Sequence, residues 1–295
     1  MSTTILKIIA VISMLIDHIG FFFPSMPIVF RWIGRIALPI FIFCLVWGFE
    51  YTSDIKKYIS RMYISSVLMG ILNYLLGSLP LKNSRFMDMN IFRVLFIILV
   101  VVWLYDNWVK HHPKRYVYIS VFLAWQIISA AVLLLAFWLD MGSDLIIEQV
   151  LSALLGSIYL LEGGILYVIF GLSLYITKEN KLYLSITTFV FSILYTLLFY
   201  LNILPRALGK LGRMGFRDLS ELLEIPIWFL FNYMPLGIKD YSLIHDIYFW
   251  GMIFALPFMV LYNGEKGKGY KCFFYVFYPL HIVVLYIISN LNIFA

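Results

Sequence analysis

The segment ILKIIAVISMLIDHIGFFF, residues 5–23, decides the fold class. It is long and apolar enough to cross a bilayer as a helix, which needs about 20 residues. Its only ionisable side chains are Lys7, Asp17 and His18. Inside a spanning helix such groups cost free energy unless they are paired or hydrated, so these residues point to function as well as to fold.

The composition of the whole chain indicates that lipid is its main solvent. Of 295 residues, 63% are hydrophobic and 13% are charged, against about 25% charged in soluble domains. A soluble fold has too little interior for so much apolar surface. We therefore exclude a soluble globular enzyme, a disordered chain and a coiled coil. Continuous apolar runs also exclude a membrane β-barrel, whose strands alternate.

We predict an all-α polytopic membrane protein with about 10 transmembrane helices (9–11), one or two of them broken or re-entrant, in a single domain over residues 1–295. The apolar stretches cover residues 5–23, 28–49, 58–79, 91–108, 116–139, 145–176 (with a break), 182–204, 225–237 (short), 244–262 and 270–289.

Basic loops indicate the orientation. The loops at residues 52–57 and 109–116 are basic and alternate with those at 80–90 and 140–148, and cytoplasmic loops are enriched in Lys and Arg. We therefore predict a multi-pass protein of the cytoplasmic membrane with a cytoplasmic N-terminus. The first helix is expected to be retained rather than cleaved. Ten crossings would return the C-terminus to the cytoplasm, but basic loops after residue 205 leave the later topology open.

Lys7 and His18 are predicted to share one face of the first helix. They are 11 residues apart, about three turns, with a rise of about 16 Å. This arrangement suits a thioester carrier entering from the cytosol, with the cation holding its phosphates. The imidazole, a natural general base, would then meet the reactive end. Alternatively, Lys7 is an inner-end anchor and His18 is a helix-packing donor.

Asp17 points about 100° away from its neighbour His18, so it is not expected to orient that ring. We expect it to pair with Arg31 or Arg35 across the turn after the first helix. The two arginines are four residues apart and share a face. Pro39 leaves the carbonyl of Arg35 without a helical partner, which predicts a kink. The ion pair between Asp17 and an arginine either fixes helix packing or contacts a substrate or acyl carrier.

His281 and Glu162 are further candidates inside apolar stretches. Pro279 should kink the last span beside His281, which is either a hydrogen-bonding group or a catalyst. Glu162 precedes two glycines, and irregular backbone at membrane depth must line a cavity or be buried in protein. The histidines are well separated and no cysteine cluster occurs, so no metal site is predicted. No nucleic-acid-binding motif is found, so no nucleic-acid partner is predicted.

Two blocks of the sequence, one at each end, resemble the TraX family of membrane proteins. They cover about a third of the chain, in the right order, while the middle, from about residue 86 to 240, carries little that matches. The matching motifs are LKIIA (6–10), MLIDHIG (14–20), GRIALPIF (34–41), Lys57-Tyr58, Arg61, LYNGEKG (261–267) and YVFYPLH (275–281).

The resemblance implies an activity. The TraX family is named for the enzyme that acetylates the N-terminus of conjugative pilin. It belongs to a wider group of membrane acyltransferases that includes acyltransferase family 3. That family has a basic residue, ten intervening residues and a histidine in its first helix, as Lys7 and His18 do here. The resemblance therefore implies that His18 is catalytic.

The resulting hypothesis is a membrane-bound acyltransferase that moves acetyl from cytosolic acetyl-CoA, its co-substrate, to an acceptor in or beyond the membrane. The expected acceptor is a pilin-like peptide N-terminus, with a glycan or lipid hydroxyl next, and membrane lipids surround the chain. The predicted catalytic residues are His18, Asp17 and Arg35; the predicted CoA-binding residues are Lys7, Arg31, Asn263, Lys266 and Lys271. By composition the segment 263–269 is typical of a flexible loop. The alternatives are a small-molecule or lipid transporter or flippase, and a non-enzymatic assembly factor for surface appendages.

Overall fold

The structure, a computed structural model, describes residues 1–79, 89–232 and 238–291, except the side chains of residues 271 and 272. In those ranges the regular structure is helical and no strand occurs, in agreement with the predicted all-α membrane fold. Seven helices there are long and apolar enough to span a membrane, and two shorter apolar helices accompany them. Together they fall within the predicted range of 9–11 spans.

The first half of the chain forms regular spans. Two of them begin at side-chain caps: Asp54 accepts a hydrogen bond from the Lys57 N–H, and Asn90 accepts one from the Arg93 N–H. Each cap satisfies a backbone donor that the first helical turn leaves unpaired. The helices are α1 (Thr3–Phe22), α2 (Val29–Gly34), α3 (Ala37–Glu50), α4 (Ile55–Gly77), α5 (Ile91–Val109) and α6 (Arg115–Trp138).

The second half is less regular. Its elements are a π-helical turn (Ile146–Leu151), α7 (Ser152–Leu154), α8 (Ile165–Thr177), α9 (Lys181–Tyr200), α10 (Ile203–Arg213), α11 (Arg217–Phe231), a 3-10 helix (Phe249–Ala255), α12 (Leu256–Val260) and α13 (Lys271–Asn290). The short apolar stretch at 225–237 overlaps the end of α11, which is not among the candidate spans. Its residues 233–237 lie outside the described part of the chain.

The predicted break near Glu162 lies between α6 and α8. Gly163 and Gly164 both have positive φ, +70° and +71°, a conformation that glycine adopts without steric cost. Gly164 also has to be small, because a Cβ there would come within 2.6 Å of the Phe231 carbonyl oxygen. The segment before the break packs into an apolar core that includes Leu133 and Ile147.

The chain groups into two compact units. Unit 1 comprises Met1–Tyr51, Ser173–Pro226 and Met234–Ala295, and unit 2 comprises Thr52–Leu172 and Ile227–Tyr233. Unit 1 therefore contains both ends of the sequence, including α1 and α13. The single domain over residues 1–295 stays a prediction.

Within unit 1, α1 and α13 run parallel. At one end the Thr3 N–H donates to the Glu265 carbonyl, 2.9 Å away and just before α13. At the other end the ring of Phe22 meets that of Tyr286, with centroids 6.4 Å apart. Two parallel spans start on the same side of a membrane, so the number of crossings from α1 to α13 is odd. Nine crossings satisfy this condition, whereas ten would not.

We expect the two ends of the chain to lie on opposite sides of the membrane. In a chain whose Cys44 and Cys272 are replaced by serine, Ser2→Cys and Gly269→Cys should react with a membrane-impermeant maleimide from one side. Leu291→Cys should react from the other side. Labelling of Ser2→Cys and Leu291→Cys from the same side would contradict the parallel arrangement.

Candidate active site

Two imidazole rings meet where α1 packs against α13. His18 Nδ1 lies 2.6 Å from His281 Nε2, and the ring planes are within 5° of parallel. His281 Nδ1 in turn lies 2.8 Å from the carbonyl oxygen of Phe277. Both rings are buried. Among the described residues no group hydrogen-bonds His18 Nε2, so this nitrogen is available for chemistry.

The carboxylate of Asp17 is held by two guanidinium groups. Its Oδ1 lies 2.8 Å from Arg31 Nη1, and its Oδ2 lies 2.6 Å from Arg35 Nη2. Arg31 Nη1 also donates to the Asp17 backbone carbonyl at 3.0 Å. The sequence predicted a partner in Arg31 or Arg35, and the structure provides both. The side chains are largely buried, so the three charges depend on each other rather than on water.

Close approach of α2 to Asp17 depends on Gly34. A Cβ at residue 34 would overlap the Cβ and the carboxyl group of Asp17. The second span breaks directly after this glycine, between α2 and α3, at Arg35 and Ile36. Pro39 contributes to this break, because proline cannot donate to the carbonyl of Arg35, and the kink itself stays a prediction.

Tyr248 completes the arginine cluster. Its hydroxyl accepts a hydrogen bond from Arg31 Nε at 3.1 Å. Its ring centroid lies 5.7 Å from Arg31 Cζ and 5.3 Å from Arg35 Cζ, within range of cation–π attraction. The sequence analysis missed this residue, since it is one of 21 tyrosines and lies 217 positions from Arg31.

The cluster of Asp17, Arg31 and Arg35 has one more positive charge than negative. Among the described residues Arg31 Nη2 has no hydrogen-bond partner, so it can donate to an anionic oxygen. Groups of three or more His, Cys, Asp or Glu side chains that could hold a metal ion do not occur in the described ranges. The absence of a metal stays a prediction.

Lys7 faces the same helix as His18. Its Nζ lies 5.7 Å from the ring centroid of Phe274 on α13, while His18 meets His281 farther along that helix. Both α1 residues thus face α13, as their spacing predicts. The rise between them along α1 is about 16 Å.

The loop at 263–269 is tied to the start of α1. The Thr3 hydroxyl donates to the Lys266 carbonyl at 2.6 Å, and the Thr3 N–H bonds to the carbonyl of Glu265. Asn263 Nδ2 donates to the Glu265 carboxylate at 2.9 Å. The bonds from Thr3 attach the loop backbone to the start of α1. The flexibility expected from composition stays a prediction. The Lys266 side chain is exposed, and that of Lys271 lies outside the described residues.

Glu162 belongs to a polar network within unit 2. Its Oε2 accepts from the Asn90 N–H at 2.9 Å, at the start of α5. Arg93, one turn later, is 2% exposed and donates through Nη1 to the Glu148 carbonyl and the Ser152 hydroxyl. A role for Glu162 in function stays a prediction.

The TraX family model, described as TraX protein, matches residues 2–195, more than half of the chain. The chain belongs to the TraX family. The TraX match includes Asp17, His18 and both arginines, whereas Tyr248 and His281 lie beyond it. No curated protein and no solved structure matches the chain.

Gly34→Ala should destabilise the protein and displace Asp17. Overpacking of this kind costs about 1–3 kcal/mol. The matched control is Gly212→Ala in α10, where no atom lies within 4 Å of the added Cβ. It should leave stability unchanged or raise it by about 0.5–1 kcal/mol through helix propensity. Thermal unfolding in detergent measures both, and equal midpoints would contradict the close contact at Gly34.

Proposed function

We propose that this TraX-family protein is a membrane-bound acyltransferase that uses acetyl-CoA. The observation that carries the proposal is the His18 ring, whose Nδ1 contacts His281 while its Nε2 is left for a substrate. The neighbouring residue, Asp17, forms ion pairs with two guanidinium groups, so the three side chains carry one net positive charge. Acyl transfer needs these parts: a base or nucleophile and a donor for a developing oxyanion.

The proposed path of acetyl-CoA starts at the N-terminal end of α1. Lys7 lies near this end. The loop that carries the exposed side chain of Lys266 is hydrogen-bonded to Thr3 at the same end. These cations would bind the CoA phosphates. The rise of about 16 Å from Lys7 to His18 is the distance that an extended pantetheine arm would have to cover to carry the thioester to the imidazole.

The chemistry can follow two routes, both starting at His18 Nε2. In the first, Nε2 takes a proton from the acceptor amine or hydroxyl as that group attacks the thioester carbonyl. In the second, Nε2 attacks the carbonyl itself, the C–S bond breaks, and the acceptor then takes the acetyl group from the ring. In both routes the proton lost by the acceptor ends on the CoA thiolate. The products are the acetylated acceptor and CoA thiol.

Arg31 is suited to stabilise the oxyanion. Of the Arg31 donors, Nη2 has no partner among the described residues, while Nη1 contacts Asp17 and Nε donates to the Tyr248 hydroxyl. From the sequence, Arg31 was predicted to bind CoA; its contact with Asp17, the neighbour of His18, supports a place at the reactive end of that molecule. Loss of one such donor reduces kcat by about 10²–10³-fold in enzymes that use an oxyanion hole.

The proposed acceptor is a peptide N-terminus, with a glycan or lipid hydroxyl as the next choice. The proposed location is the cytoplasmic membrane, with the start of α1 on the cytoplasmic side. His18 lies one turn before the end of α1, so an acceptor would reach it from the side opposite to Lys7. Acetyl-CoA and acceptor would then approach from opposite sides without crossing each other.

His18→Ala should reduce acetyl transfer from labelled acetyl-CoA by at least about 10²-fold, the lower end of what a general base contributes. The matched control is His245→Ala, because His245 is exposed and does not belong to the cluster of Asp17, Arg31 and Arg35. It should keep full activity. Purified protein in nanodiscs, with a peptide of free N-terminus as acceptor, gives the measurement. Full activity of His18→Ala would remove this residue from the mechanism.

Lys7→Met should raise the KM for acetyl-CoA about tenfold and leave kcat nearly unchanged. A hydrogen bond to a charged group contributes about 1.5 kcal/mol, and 1.4 kcal/mol corresponds to a factor of ten. Methionine keeps the packing against Phe274 but loses the charge. Lys181→Met, at an exposed position at the start of α9, is the control. An equal KM for both variants would contradict a role of Lys7 in CoA binding.

Transport is a second candidate, favoured by the broken segment between α6 and α8. Arg93 is buried beside this segment, and discontinuous helices with buried charges occur at transporter binding sites. Counterflow of a labelled solute into proteoliposomes without acetyl-CoA would support this alternative.

A further inference from the structure

We propose that His281 is a positioning residue that fixes which nitrogen of His18 reacts. This inference rests on the proposed function, because it deals with the imidazole that the acyltransferase would use. His281 would touch neither acetyl-CoA nor the acceptor. It would act through one hydrogen bond, between its Nε2 and His18 Nδ1.

The Phe277 carbonyl determines the direction of both hydrogen bonds in the series from His18 through His281 to Phe277. The Phe277 carbonyl can only accept, so His281 Nδ1 carries a hydrogen. In a neutral ring His281 Nε2 is then an acceptor, and His18 Nδ1 has to donate to it. His18 Nε2 is left with a lone pair. One backbone carbonyl thus sets the tautomer of both rings.

The surrounding charges favour two neutral rings. The charged groups nearest to His18 are Asp17 on α1 and the guanidinium groups of Arg31 and Arg35 at α2, while α13 presents His281. Because this set already has one excess positive charge, an additional proton on the histidine pair would be repelled.

The α13 side of the contact is held rigidly. His281 is stacked against the ring of Phe277, with centroids 5.1 Å apart and planes 14° from parallel. Tyr278 meets both imidazoles edge-on, at 5.7 Å from His281 and 6.3 Å from His18. These contacts limit rotation of the His281 ring, so its Nε2 stays directed at His18.

The fixed tautomer would serve both chemical routes. If Nε2 acts as a base, the imidazolium that forms keeps its Nδ1–H bonded to His281. If Nε2 attacks the thioester, a C–N bond forms, the C–S bond breaks and the Nδ1 proton moves to His281 Nε2. That proton returns to Nδ1 when the acceptor takes the acetyl group and the Nε2–C bond breaks. The net reaction is unchanged, because His281 ends as it began.

The first test is the tautomer itself, measured by nitrogen NMR on the full chain with 15N-labelled histidine in nanodiscs. The chain has five histidines, and the His18 signals are assigned by their loss in His18→Ala. We expect the wild-type His18 to be protonated on Nδ1 and bare on Nε2. Protonation on Nε2 in the wild type would overturn the proposal. This measurement does not depend on activity.

The second test compares two variants of His281. His281→Phe keeps the ring volume against Phe277 but removes the acceptor, so His18 should change to the Nε2–H form. Acetyl transfer should then lose about 10²-fold in kcat with little change in KM, since general-base action contributes about 10²–10⁴. His281→Gln can place a carbonyl oxygen near His18 Nδ1 and should restore part of both the tautomer and the rate.

The outcomes separate this proposal from the proposed function. An Nδ1–H tautomer in a wild-type protein without acetyl transfer would end the acyltransferase proposal but keep the positioning role. Transfer that persists undiminished in His281→Phe would overturn the positioning role and keep the acyltransferase. An equal loss of kcat in His281→Phe and His281→Gln, with the His18 tautomer unchanged in both, would show that His281 acts only through packing.

Discussion

Two guanidinium groups pair with the carboxylate of Asp17 inside a spanning helix. Removing one partner from a buried ion pair costs about 3–5 kcal/mol, so the neighbouring backbone has to conform to this contact. Gly34 lets α2 approach, and the break before α3 allows Arg35 to reach the carboxylate. His18 follows Asp17 directly on α1. The ion cluster therefore sets the rotation of α1 that presents the imidazole to α13.

The parts of the site that could be predicted from sequence are local. Lys7 and His18 share a face because about three helical turns separate them, and Asp17 meets the arginines because a short turn joins their helices. The contact between His18 and His281 spans 263 positions, and no period relates them. Each histidine was a candidate by itself, as a titratable group in an apolar run. Their contact depends on how α13 packs against α1.

The long-range hydrogen bonds of the loop at 263–269 could not be predicted from its composition. The loop at 263–269 is rich in glycine and charge, which locally favours flexibility, yet the hydroxyls of Thr3 and Thr4 bind its carbonyls. Tyr248 gave no signal, because a tyrosine in an aromatic-rich chain is expected to be packing. The family match ends at residue 195, so it covers the acidic and basic members of the cluster but neither Tyr248 nor His281.

The parallel pairing of α1 with α13 has a consequence for biosynthesis. Spans enter the bilayer in order of translation and associate there afterwards. His18 is synthesised 263 positions before its ring partner, so the pair cannot form until α13 has entered the bilayer. A chain that lacks α13 would carry the His18 ring without its contact to His281. The contact between the two imidazole rings therefore forms only after α13 has packed against α1.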